Sequence, residues 1–208
     1  MDTLNCKNDI INRALSLLRE KEIIDISIEP SSDTERLIHK WFEIAKAEAI
    51  TEIEPVFAIK RIKLNLEKKV NAEDLTEVKT EETAENNNNN NNSNINKSYL
   101  YGYRIPSDCL KVFNGNFELL EGNYIYSYLA NGLIIKYLSS DTELYEREIK
   151  FNIALSYLLA YYICADLQNN DNKIQLFFKL KNNKISEART ANLREIGVEI
   201  VKNYRWKK

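Results

Sequence analysis

Tyr101-Gly102-Tyr103-Arg104-Ile105-Pro106-Ser107-Asp108-Cys109-Leu110-Lys111-Val112 is the run on which the fold turns. Tyr101, Tyr103 and Ile105 alternate with other residues, the period-two pattern of a half-buried strand. Pro106-Ser107-Asp108 breaks that strand as a turn, with the proline ring pre-setting the backbone angle. Leu110 to Phe113 is strand-like again and meets Asn114-Gly115, a pair that accepts positive φ and favours a tight hairpin. Glu121-Gly122-Asn123 and Asn131-Gly132 are two further turn signals, which flank Tyr124 to Leu129 and precede Leu133 to Leu138. Residues 99–138 therefore read as an antiparallel β-meander of four or five short strands.

On either side the period changes to that of helices. Thr3 to Glu20 carries Leu4, Ile11, Ala14, Leu15 and Leu18 at three- and four-residue steps. Ser32-Asp33-Thr34-Glu35 is a capping box opening a second helix to about Glu54, where Pro55 stops it. Val56 to Leu66 reads as a resumed helix. Ser140-Asp141-Thr142-Glu143 is a second capping box, ahead of a third helix that is apolar on most sides and so central. A fourth helix is expected from about Lys173 to Asn203, with a break near Asn182-Asn183 and with Ile174, Phe178, Ile185, Ala188, Ile196 and Ile200 on its inner side. The fold class is α+β: an antiparallel bundle of about four long helices, with the β-meander inserted between helices two and three. Residues 1–208 are expected to form a single domain. Within it, residues 67–98 are an acidic, Asn-rich segment with seven consecutive asparagines, Asn86 to Asn92. Such a segment buries too little apolar area to offset its ordering entropy, so it reads as a disordered or extended loop.

Composition narrows the function classes. The chain has 29 Lys and Arg against 31 Asp and Glu, a net charge of −2, which gives no bulk sign of a nucleic-acid binder. One histidine (His39) and three scattered cysteines (Cys6, Cys109, Cys164) cannot supply the roughly four N/S ligands of a structural zinc site. The N-terminus lacks the basic-then-apolar pattern of an export signal, and the odd cysteine count suggests folding in a reducing compartment. The apolar stretch Ile149 to Leu167 is interrupted by Lys150, Asn152, Ser156 and Asp166, so it reads as a buried helix and not a membrane span.

No phosphate-binding glycine loop, nucleophile elbow or paired-histidine metal motif is present. His39 lies beside Lys40 and Trp41 on a helix and reads as an exposed side chain. Asp108 is the acid of most interest, and an Asx turn outweighs catalysis there. No catalytic residue, cofactor site or metal site is expected. Two clusters instead point to partners. Tyr99, Tyr101, Tyr103, Tyr124, Tyr126 and Tyr128 crowd the meander, and tyrosine combines apolar area with a polar tip suited to interfaces. These are the candidate contacts to another protein chain. Tyr204-Arg205-Trp206-Lys207-Lys208 is a basic, aromatic tail and the candidate docking segment for a protein partner.

Several residues together give a resemblance. Ile11-Asn12-Arg13-Ala14-Leu15-Ser16-Leu17-Leu18, the capped helix with Trp41, and Phe57-Ala58-Ile59-Lys60-Arg61 come in order before the variable loop. The Tyr-x-Tyr-x-Ile-Pro-Ser-Asp-Cys-Leu motif follows, with Tyr103, Pro106, Asp108 and Cys109 as its marked positions. Over nearly its full length the chain resembles head-to-tail adaptor proteins of tailed bacteriophages, of the tail tubular protein A type. It departs from that pattern at Arg19, where a glycine is usual, at Val56, where a tryptophan often stands, and in its swollen loop.

The resemblance implies a structural virion protein of the neck, made in the host bacterial cytoplasm. It implies a homo-oligomeric ring of about twelve copies, closed by heterologous contacts. The ring would sit between the portal protein and a tail tube or nozzle protein, and double-stranded DNA would pass through without sequence-specific binding. Neither catalysis nor a membrane enters this reading. The alternative is a soluble nucleic-acid-binding regulator that uses the C-terminal basic-aromatic cluster. An enzyme acting through Asp108 or His39 is the third reading.

Overall fold

The computed structural model describes residues 3–21, 32–71, 99–144, 148–167 and 171–205. The fold is α+β: among the described residues there are four helices, with two small antiparallel sheets inserted between the second and the third. The helices are α1 (Thr3–Leu18), α2 (Asp33–Ile53), α3 (Ile149–Leu167) and α4 (Asp171–Arg205). A 3-10 turn, Val56–Ala58, leads into the strands β1 (Ile59–Leu64), β2 (Leu66–Asn71), β3 (Tyr99–Arg104), β4 (Cys109–Asn114), β5 (Leu119–Glu121), β6 (Tyr124–Ser127) and β7 (Leu133–Ser139). Two compact units result. Residues 1–59 with 138–208 form the helical unit, and residues 60–137 form the sheet unit.

In the helical unit α3 packs against α1, α2 and α4. Its Leu155, Leu158, Leu159 and Ile163 are fully buried, as the all-round apolar pattern requires. Each such side chain contributes about 1.5–3 kcal/mol by leaving water. Ile11, Ala14 and Leu15 of α1 and Ile38, Ala45 and Ala49 of α2 bury their stripes in the same unit.

Helix ends follow from local chemistry. Ser32 is the N-cap of α2 and its hydroxyl accepts the Glu35 N–H at 3.2 Å, as the capping box predicts. At the other end Glu54 takes a left-handed conformation, φ 52, before Pro55. The last carbonyls of α2 are met by α4. Asn192 donates to the Ile53 and Glu54 carbonyls at 3.3 and 2.9 Å and accepts the Val56 N–H at 3.2 Å. Arg189 Nε donates to the Glu52 carbonyl at 2.7 Å, which satisfies an orphan acceptor and sets a cation against the dipole. The end of α1 is a Schellman motif, with Glu20 N–H on Leu15 O and Arg19 N–H on Ser16 O, and with Arg19 left-handed at φ 65.

The sheet unit corrects several expectations. Val56 to Leu66 does not resume as α-helix; it forms the 3-10 turn, β1 and the start of β2. Residues 67–71 of the expected loop belong to β2, which pairs antiparallel with β3, while 72–98 lie outside the described residues. The strands from 99 onward do not form one meander. They divide between a three-stranded sheet ordered β1-β7-β4 and a four-stranded sheet ordered β2-β3-β6-β5. Leu64, Tyr103, Ile125, Leu133, Ile135 and Tyr137 make one core from both sheets. The Gly122 turn is a hairpin, with φ 56 at the glycine and Glu121 paired to Tyr124. Asn114-Gly115 is not, because β4 and β5 lie in different sheets. Gly115 serves close packing: a Cβ there would stand 3.0 Å from Phe117 and 3.2 Å from Ile135.

Two helix expectations are corrected as well. Ser140-Asp141-Thr142-Glu143 caps no helix. The Ser139 hydroxyl takes the Asp141 N–H at 3.1 Å, Thr142 N–H turns back to Ser140 O, and α3 starts at Ile149. Helix α4 runs unbroken through Asn182-Asn183, and among its described side chains Phe177, not Phe178, is the buried aromatic.

Candidate functional site

The motif turn is built by the backbone and held by side chains. Cys109 N–H donates to Pro106 O at 3.0 Å, which closes Pro106-Ser107-Asp108-Cys109 between β3 and β4. The Asp108 carboxylate then accepts from Lys60 Nζ at 3.1 Å and from the Tyr137 hydroxyl at 3.3 Å. Lys60 lies on β1, Asp108 precedes β4 and Tyr137 lies on β7, so one carboxylate ties all three strands of that sheet. Burial, and then the Asp108 charge, push the Tyr137 phenol above its ordinary range, which keeps it a donor. Burial followed by Asp108 raises the Cys109 thiol likewise, the opposite of an activated nucleophile. Asp108 thus serves as a strand staple in this geometry. As a half-exposed ion pair, its link to Lys60 is worth at most about 1 kcal/mol.

The six tyrosines do not form one surface. Tyr103 is completely buried and its hydroxyl donates to the Leu129 carbonyl, so it is core. Tyr126 is only 4% exposed, because the stem of Lys68 closes over it across Gly102. A Cβ at Gly102 would stand 2.7 Å from Lys68 Cγ and 3.2 Å from the Tyr126 ring. Tyr101 is half-buried against the same core. These positions correct the expected contact set: Tyr103 and Tyr126 offer no ring to another chain. Tyr124 and Tyr128 are half-exposed. Tyr124 donates to Glu67 at 3.0 Å and lies 3.9 Å under the Lys68 ammonium. Tyr99 pairs through its backbone with Asn71, and its side chain lies outside the described residues. Tyr204 and Arg205 are backbone positions of α4, while Trp206, Lys207 and Lys208 lie outside the description altogether.

Beside the motif an open groove of about 950 Å³ is lined by Pro106, Leu110, Ile62, Leu120, Lys63 and Arg104 among others. Its apolar residues are conspicuous, with Ile62, Leu110 and Leu120 exposed at 40, 37 and 49%. In the helical unit, sequence reasoning missed a polar clamp. Trp41 stacks on Tyr162 at 4.7 Å, and Trp41 Nε1 and Lys40 Nζ both donate to Asp166 at 2.8 Å. Tyr162 donates to Glu48, which also accepts Lys181 at 3.0 Å. The Tyr162 phenol is pushed up to about 12 by burial and by Glu48. Only the aromatic pair at Trp41 and Tyr162 could have signalled this clamp.

His39 is exposed on α2. Among the described residues no three His, Cys, Asp or Glu side chains group to hold a metal ion, and no helix is long and apolar enough to cross a membrane. No family model matches the chain, and no curated protein matches it.

Proposed function

We propose that this chain is a head-to-tail adaptor of a tailed bacteriophage, a structural protein of the virion neck made in the host cytoplasm. The observation that carries the reading is the Tyr-x-Tyr-x-Ile-Pro-Ser-Asp-Cys-Leu motif on a sheet insert flanked by two helix pairs. About twelve copies close a ring on the portal protein and extend its channel for genome retention and ejection. A tail tube or nozzle protein binds below, and duplex DNA passes without sequence readout. The chain does no catalysis in this role, which is in keeping with an Asp108 engaged by Lys60 and Tyr137. Of the described rings, the half-exposed Tyr101, Tyr124 and Tyr128 are those available for contacts between subunits or to the tail, and Tyr204 to Lys208 is the docking segment for the portal.

Native mass spectrometry of the purified protein, alone and mixed with the portal ring from the same source, tests the reading. A portal species carrying about twelve copies is the expected result. A monomer throughout, with no portal complex, overturns it. Deleting Tyr204 to Lys208 is expected to weaken that complex; unchanged binding removes the docking assignment.

A further inference from the structure

The net charge of −2 conceals a strong local asymmetry. Strands β1, β7 and β4 carry Lys60, Arg61, Lys63, Lys111 and Lys136, and no Asp or Glu. Leu64, Leu133, Ile135 and Tyr137 turn to the core. Strand alternation therefore sends Lys63 and Arg61 of β1, and Ile134 and Lys136 of β7, to the outer face. Lys111 and Phe113 of β4 join them, since the ammonium groups of Lys111 and Lys136 each stand 5.6 Å from the Phe113 ring centre.

The face is built as well as charged. The stem of Lys63 lies along Gly132, where a Cβ would come within 2.5 Å of Lys63 Cε. Arg61 and Lys136 share a concavity of about 510 Å³ with Ile134 and the turn residues Asn114, Gly115 and Asn116. Arg61 and Lys63 are exposed. Among the described residues no carboxylate pairs with Arg61, Lys63 or Lys136.

We propose that this outer sheet face, through Arg61, Lys63, Lys111 and Lys136, contacts the phosphate backbone of double-stranded DNA. Neighbours on one face of a strand lie about 6.7 Å apart and strands about 4.8 Å apart, so the four cations form a spread array. An array of one sign suits a polyanion, and a spacing of a few ångströms between cations matches the closely spaced charges of a duplex backbone. Phe113 already has two ammonium groups near its ring and is the one aromatic of this face, so base stacking on a single strand is disfavoured. The contact would be independent of base sequence. It goes beyond the adaptor reading and does not rest on ring formation, because it concerns the free chain.

The test is anisotropy of a labelled mixed-sequence duplex titrated with the full chain at stepped salt. Engaging four phosphates gives a slope of log K against log salt of about −3.6. Arg61→Gln with Lys136→Gln is expected to weaken binding and flatten the slope by about 2. Lys150→Gln with Lys179→Gln, the same charge change on α3 and α4, is expected to leave both unchanged. The far-ultraviolet dichroism of each variant is compared with the parent, and Lys63→Gln alone, with a slope change of about 1, serves if the double variant does not fold. Absence of salt-dependent duplex binding overturns the proposal. So does equal loss in the two double variants, tighter binding of a single strand of the same length, or equal binding of polyglutamate. A duplex signal without a portal complex would sink the adaptor reading alone, and a portal complex without a duplex signal would sink this one alone.

Discussion

Replacing Arg19 with glycine should stabilise the protein. Arg19 sits one residue past α1 at φ 65, in the Schellman motif closed by the Glu20–Leu15 and Arg19–Ser16 hydrogen bonds. A side chain with a Cβ costs about 1–2 kcal/mol in the left-handed region. Glycine removes that cost but gives the unfolded chain extra freedom, worth roughly 0.5–1 kcal/mol. The Arg19 side chain is exposed, so nothing else of that size is lost. The net gain is about 0.5–1 kcal/mol, or roughly 1–4 °C in Tm for a chain of this length. Thermal melts followed by circular dichroism, with urea titrations at constant m, would measure it. Arg19→Ala is the control, because alanine keeps the Cβ and should gain nothing. An Arg19→Gly protein no more stable than its parent, or an alanine variant that gains equally, would refute the argument from backbone strain.

The same reasoning extends to the other end of the bundle and to the sheets. Asn192→Ala removes the partner of three backbone groups at the end of α2, and urea unfolding should register a loss of about 1–3 kcal/mol. Leu159→Ala opens a cavity in the fully buried face of α3 and should cost about 2–5 kcal/mol in the same assay. Gly102→Val drives a side chain into Lys68 and Tyr126, so exchange of the β3 amides should quicken while α3 amides stay protected. Asp166 is held below its ordinary range by its hydrogen bonds from Lys40 and Trp41. Its share of stability is therefore present above the unfolded carboxylate value and fades as pH falls through the lower folded one. Asp166→Asn should flatten that part of the acid limb in a stability–pH series, and an unchanged limb would discard the clamp's electrostatic role.

Which features were readable from the chain follows from whether they are local. The Ser32 cap, the stop at Pro55, the all-round apolar character of α3 and the Gly122 hairpin each depend on a few neighbouring residues and match the structure, although α3 starts at Ile149 and not at the Ser140 box. Strand β1 was missed because Ile59, Ile62 and Leu64 do not alternate; its partner β7 lies some seventy residues on, and distant pairing overrides local pattern. The Ser140 box failed for the converse reason. Its residues suit a cap, but the backbone bends there instead, with the Ser139 hydroxyl accepting the Asp141 N–H and the Thr142 N–H returning to Ser140 O. At the candidate surfaces, tyrosine count misled where sheet position decides: Tyr103 faces the core, and Gly102 lets Lys68 roof Tyr126. The cationic sheet face was hidden because Arg61, Lys111 and Lys136 are far apart in the chain and meet only through the order β1-β7-β4.

That α3 is the hub of the helical unit has a consequence during synthesis. The ribosome completes α2 at Ile53 and does not begin α3 until Ile149, a delay of about 5–20 s at ordinary elongation rates. Over that interval Ile11, Leu15, Ile38 and Phe42 have been made but lack the helix that will cover them. The sheet unit, whose strands are complete near Tyr137, can close first. A nascent chain stalled before Ile149 should therefore expose two adhesive helices, and should recruit chaperones that bind apolar surface and that the finished protein ignores.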